Sequence, residues 1–175
     1  KVAVTIALDK SNPRHRALAR LIVARRDWNA AQASLSHIVA HVGTSHDPLY
    51  YPLTASAVLC YARPFLGGRS HGRIPSVYEK FPDEMKRSNH RLLLEHRSFV
   101  VAHANEEKHE VTLMKRGTEI EWAGGKGKGT LANHGEIVRA PELAHKTIPF
   151  VLHLVEFQLE RISAEVERQK DELFP

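Results

Sequence analysis

Cysteine is almost missing from this chain: Cys60 is the only one in 175 residues. A lone cysteine excludes an internal disulfide and suits a reducing cytosol. Its neighbours Val58, Leu59 and Tyr61 make it a filler of a helix core rather than a catalytic thiol. No run approaches the roughly 18 consecutive apolar residues of a membrane span. No charged stretch leads into an apolar one as a secretion signal would. The expected location is therefore the cytoplasm, with no membrane contact. Internal repeats are lacking, as is any linker dividing two cores. The order G-x-x-x-x-G-K-[ST] of a phosphate loop is missing as well. Gly124-Gly125-Lys126-Gly127-Lys128-Gly129-Thr130 has the glycines and lysines without that order or a strand-to-helix setting, and reads as loop.

What is present is ordinary for a globular domain: 42% hydrophobic and 26% charged residues, in a chain long enough to bury a core as one domain over 1–175. A net charge of +5 permits a polyanionic partner without establishing one.

Helical periodicity dominates. Ser11-Asn12-Pro13 is a cap-and-proline opening for a first helix that ends at Gly43. Its stripe is Leu21, Trp28, Leu35 and Val42, with Leu18, Ile22, Ile38 and Val39 beside it. Asp47-Pro48 opens a second helix that stops near Pro64 to Gly68, and a basic loop with Arg69, His71 and Arg73 follows. A third helix runs from near Pro82-Asp83-Glu84 to about Ala104. Alternation then predicts a short β-hairpin, Glu110–Met114 against Thr118–Trp122 around Lys115-Arg116-Gly117, with a third short strand at Glu136–Arg139. Pro141 opens the last helix, with Ile148, Leu152, Val155, Leu159, Ile162, Val166 and Leu173 on its seam and Pro149 kinking or delimiting its first turns. The fold class is all-α: a four-helix bundle with a small β-hairpin insertion, residues 108–140, between helices 3 and 4.

The third helix holds the most telling segment, His90 to Ala104. A helix advances about 100° per residue. With Leu92 at 0°, Phe99, His103, His96, Val100 and Leu93 fall between roughly −20° and 100°, and Arg97, Val101 and Leu94 between roughly 140° and 200°. Only Glu95, Ser98 and Ala102 are left to face water. Arg97 and His103 thus lie within a wide apolar arc, where an arginine is rare unless it is paired or functional. Their R-x5-H spacing is a cheap pattern, since Arg91/His96 and Arg139/His145 fall within a looser form of it. The apolar setting is the rarer fact.

The run His90-Arg91-Leu92-Leu93-Leu94-Glu95-His96-Arg97-Ser98-Phe99-Val100-Val101-Ala102-His103-Ala104 resembles the signature segment of the HEPN superfamily, especially bacterial members with an HR-x-L-L-x-x-R-x-x-x-x-A-H run. The helix end Tyr61-Ala62-Arg63-Pro64-Phe65 and the basic loop after it are similar too, so the likeness spans roughly residues 48–104 plus the last helix. The resemblance implies a helical bundle, usually dimeric. It also implies metal-independent RNA cleavage without a cofactor, with Arg97 as the motif arginine and His103 as the motif histidine. It allows a toxin or defence role with an antitoxin or other protein partner. The position after the motif arginine, often Asn, Asp or His in active members, is Ser98 here.

Metal-free RNA cleavage needs a base, an acid and positive charge at the crowded phosphate. Histidine serves as acid or base near neutral pH, and arginine donates two hydrogen bonds to phosphate without losing its charge. On a straight helix Arg97 and His103 are about 9 Å apart along the axis and diverge by roughly 120°. Either the helix breaks near Ala102, or two chains pair and each contributes one group. A symmetric dimer burying the Leu93/Val101 flank fits the second case. Arg69, Arg73 and Arg91 are the expected contacts to RNA phosphates.

Plainer readings stand beside this one. Arg97 bridges an acidic residue on a neighbouring helix and His103 caps the helix end, leaving a non-catalytic HEPN-like binding module. A further alternative is a metalloprotein in which His37 and His41, at i and i+4, take His46 or Asp47 as a third ligand.

Overall fold

Helix α1 (Pro13–His41) begins as its sequence dictates. The Asn12 side chain accepts from the Arg14 N–H, and Pro13 occupies a first-turn position whose missing N–H has no helical acceptor. The computed structural model describes residues 7–9, 11–67, 72–100, 110–114, 119–121, 128–130, 135–139 and 143–173. Of the strand side chains it covers only that of Glu119, and it leaves out the side chains of Phe99 and Val100. Along α1 the inward face is Leu18, Leu21, Trp28, Leu35 and Ile38, with Ala24 and Ala31 allowing close approach. Val39, expected beside that stripe, is instead 53% exposed. One residue past Ile38 turns it about 100° outward.

Helix α2 (Tyr50–Leu66) starts later than Asp47-Pro48 suggested, because Asp47 caps the turn before it and accepts from the Leu49 N–H at 2.8 Å. Pro64 sits in its last turn, and Gly67 ends it at φ 66°, a left-handed value suited to glycine. A 3-10 turn (Ser76–Glu79) leads to α3 (Glu84–Val100). A second 3-10 turn (His145–Thr147) leads to α4 (Ile148–Leu173), so α4 starts at Ile148 and not at Pro141. Pro149 delimits the first turn of α4, where a proline gives up no intrahelical bond. Val151 and Leu154 join Val155, Leu159, Ile162 and Val166 in the core, and Leu152 is half-buried.

The four helices form a bundle in which α1 packs on α2 and α4, and α3 packs on α2 and α4. Helix α1 is antiparallel to both neighbours. Trp28 stacks on Tyr61 and Ser34 meets Ser56 across α1/α2, while Val42 O meets His145 and Arg25 meets Glu167 along α1/α4. Trp28 is the hub, with ring centroids 5.6 Å from Phe65 and 5.9 Å from Tyr78, and its Nε1 donates to Tyr61 O at 3.1 Å. Among the described residues no helix is long and apolar enough to cross a membrane.

Between α3 and α4 in sequence lie four strands: β1 (Glu110–Met114), β2 (Glu119–Glu121), β3 (Lys128–Thr130) and β4 (Gly135–Arg139). The turn expected at Lys115-Arg116-Gly117 lies outside the described residues, and among those described β1 does not pair with β2 as that hairpin requires. Strand β1 pairs with β4 and β2 with β3, both antiparallel. From Met114↔Gly135 to Glu119↔Thr130 the pairing advances five residues on each side, so both ladders keep one register. Alternation placed β1 and β2 correctly as strands, but a short apparent turn between them misled the pairing. Partner choice depends on a return strand that begins 21 residues after β1 ends, which a local pattern does not see.

Candidate functional site

Helix α3 is opened by Asp83, whose carboxylate accepts from the Lys86 N–H at 2.8 Å. The Lys86 ammonium, which donates to the same carboxylate at 2.7 Å, and that N–H hold the Asp83 carboxyl below the usual carboxylate range. Two turns of the helix then present His90, Leu93 and Arg97 along one line, the i, i+3, i+7 spacing of a core-facing seam. His90 is buried, its Nδ1 hydrogen-bonded to Tyr61 Oη at 2.9 Å and its ring edge-on to Phe65 at 4.6 Å. Burial pushes the His90 ring below its ordinary pKa, with Glu79 pulling the other way. Burial likewise holds the Tyr61 phenol far above its usual value, so it keeps its proton.

Leu93 is 0% exposed and belongs to the bundle core. That corrects the expectation that Leu93 is free to pair with a second chain, while Val101 of the same flank lies outside the described residues. The Leu93 surface is already used by the intramolecular packing of α3 on α2 and α4. Arg97 is the next residue on the same line and is half-buried. Among the described residues no carboxylate pairs with it and no group accepts its hydrogen bonds. His96 beside it is also half-buried, and desolvation lowers its pKa. Ser98 is exposed. His103 and Arg69 lie outside the described residues.

The remaining expected RNA contacts do not converge on Arg97. Arg91 projects outward and is held by Glu84 Oε1 at 2.8 Å and Ser88 Oγ at 3.3 Å. Arg73, ahead of the 3-10 turn, grips both Glu79 carboxylate oxygens at 2.7 and 2.6 Å and lines a cavity with Arg20 of α1. None of the cavities described here joins either residue to Arg97.

The other candidates resolve simply. His37 and His41 lie with ring centroids 4.7 Å apart and ring planes tilted by 57° on the exposed side of α1. Among the described residues no group of three or more His, Cys, Asp or Glu side chains is placed to hold a metal ion. Asp47 is committed to its capping bond. Cys60 is half-buried and burial pushes its thiol upward, away from the thiolate a nucleophile needs.

Three features escaped the sequence reading. Gln158 is fully buried in α4, with its Nε2 donating to Tyr78 O at 2.7 Å. Its spacing from Val151, Leu154 and Ile162 marked it as core, and only its polarity disguised that. Arg161 lies one turn on, with Nη2 donating to Val77 O at 2.7 Å and Nη1 to Lys80 O and Gln158 Oε1. Its guanidinium also covers the Tyr78 and Phe157 rings at 5.1 and 5.2 Å. Buried Asp27 of α1 accepts from Arg63 of α2 at 2.8 Å, a link with no local signature. Compared with protein-family models, curated proteins and solved structures, the chain matches none.

Proposed function

We propose that this chain is a HEPN-like, metal-independent endoribonuclease of the toxin or defence type, in which Arg97 of one protomer and His103 of another act on one phosphate. The observation that carries this reading is the position of Arg97. It continues the buried seam of His90 and Leu93, yet no described carboxylate neutralises it. An inward-facing arginine without a partner is costly, and an anionic substrate supplies the missing charge.

The reaction follows from the groups. One histidine takes the proton of the 2′-hydroxyl, whose oxygen attacks the adjacent phosphorus. The bond from phosphorus to the 5′-oxygen breaks, that oxygen receives a proton, and a 2′,3′-cyclic phosphate remains. Arg97 stabilises the charge that builds on the non-bridging oxygens. The spacing along α3 favours contributions from two chains. With Leu93 committed to the core, pairing uses other apolar surface. Val39, Leu49, Tyr51 and Phe150 are exposed where α1 ends and α2 and α4 begin.

A non-catalytic binding module is the second reading. It is favoured by the carboxylates that already hold Arg73 and Arg91. One assay separates the two. Purified protein is incubated with mixed RNA in EDTA, alongside Arg97→Ala and His103→Ala proteins shown by circular dichroism to be folded. We expect cleavage by the wild type and a loss of at least about 100-fold in each variant, the scale of a lost acid–base or charge-stabilising group. Intact RNA with the wild type leaves the binding module standing.

A further inference from the structure

The seam between α1 and α4 carries a second charged feature, away from Arg97. Three cavities of about 420, 290 and 230 Å³ adjoin there. The first two share Leu21, Pro75 and Gln169, and the last two share Ala17 and Gln169, so they form one groove. Along α4 the lining extends from Arg161 to Leu173, twelve residues or about 18 Å of helix. Helix α3 contributes none of the lining.

Among the described residues that line this groove, the cations are Arg14, Arg20, Arg73, Arg161 and Arg168, all arginine and no lysine. Their described acidic neighbours are Glu79 on Arg73, and Glu165 and Glu172, both on Arg168. Five guanidinium groups against three carboxylates leave two positive charges over. Arg14 and Arg20 have no ion pair among the described residues, and Arg161 bonds only to uncharged oxygens. The Arg20 head is set beside Gly72, where an added Cβ would come within 3.3 Å of its Nη1. Gly72 also has φ +70°, so the turn that brings Arg73 to Arg20 depends on that glycine.

Arg14 and Arg20 are six residues apart, about 9 Å along α1. One phosphate does not span that distance, so the ligand carries negative charge at several points along its length. The groove's apolar walls, Leu21, Pro75 and Val77, suit sugar and base faces, and an all-arginine set matches phosphate in fork geometry. We infer that the α1/α4 groove binds a single-stranded polynucleotide through its phosphates, as a site distinct from the one proposed around Arg97. The inference holds whether or not the chain cleaves RNA.

The test uses a fluorescein-labelled dT12 strand, which lacks the 2′-hydroxyl and so reports binding without cleavage. Anisotropy titrations between 50 and 200 mM salt compare the wild type with Arg14→Ala/Arg20→Ala. A control, Arg16→Ala/Arg26→Ala, removes the same charge from the same helix outside the groove. We expect the groove variant to bind at least tenfold more weakly at 50 mM salt. Its slope of log affinity on log salt should fall by about 1.4, near 0.7 for each lost phosphate contact. The control should lose less than threefold. Arg20→Gln, which keeps a polar side chain of similar reach, should give an intermediate loss if the first variant folds poorly. The proposal is overturned if the wild type does not bind dT12 at 50 mM salt, or if the control weakens binding as much as the groove variant. It is equally overturned if polyglutamate of matched charge displaces the strand as well as unlabelled dT12 does, which would identify an acidic-peptide surface.

Discussion

Arg161 and Arg97 are both half-buried arginines on core-facing helices, and their described surroundings differ sharply. Around Arg161 the guanidinium makes three hydrogen bonds, to two backbone carbonyls and an amide oxygen, and lies against two aromatic faces. That arginine is a rivet. It ties the loop after α2 to α4 and, with Gln158, satisfies polar groups that the turn at Ser76–Glu79 would otherwise leave unmet. Around Arg97 the described residues offer no such partners. The same side chain is a structural fastener in one place, and in the other no described residue neutralises it. Burial alone does not tell a functional arginine from a structural one; the partner inventory does.

The sharpest way to break this comparison is to truncate each arginine and measure stability. Arg161→Ala should lower the unfolding free energy by about 2 kcal/mol in urea titrations, since it removes three hydrogen bonds and two ring contacts together. A loss under about 0.5 kcal/mol would show that the loop holds without it. Arg97→Ala should change stability by less than about 0.5 kcal/mol, because no described contact disappears with it. A large drop there would turn Arg97 into a second rivet and remove the main support for a catalytic role.

The smallest effect is a pH dependence. His90 and His96 are both held below their ordinary pKa of 6.5 by burial. The folded state therefore resists their protonation while the unfolded chain accepts it. Their contribution is complete above pH 6.5 and is lost as pH falls through the lowered folded values. Thermal melts should show a lower Tm at pH 5 than at pH 7.5, and the difference should shrink in His90→Gln. An unchanged difference in that variant would assign the effect elsewhere.

Much of the bundle was legible from periodicity. The α1 cap at Asn12, the Trp28 stripe and the α4 seam follow from side-chain spacing and proline chemistry, which act within a few residues. The strand pairing was not legible, because β1 finds β4 across a long excursion. The start of α4 was missed for a related reason: Pro141 and Pro149 are both acceptable openings, and docking of Leu143 and His145 against Tyr50 and Val42 selects the second. At the candidate site the sequence placed Arg97 on an apolar flank, and it is half-buried on the core-facing line. It also offered Leu93 as interface surface, where packing made it core.

The sequence by itself determined the four helical periods, the absence of an internal disulfide, and an arginine set among apolar residues, because all three depend on residue type and local spacing. Only the tertiary structure decided which arginines are neutralised. Ion pairs such as Arg63–Asp27 and the Arg161 contacts join residues dozens of positions apart, and electrostatic compensation depends on distance in space. The α1/α4 groove arises in the same way. Arg14, Arg20, Arg73 and Arg161 are scattered along the chain, and folding brings them to one cleft.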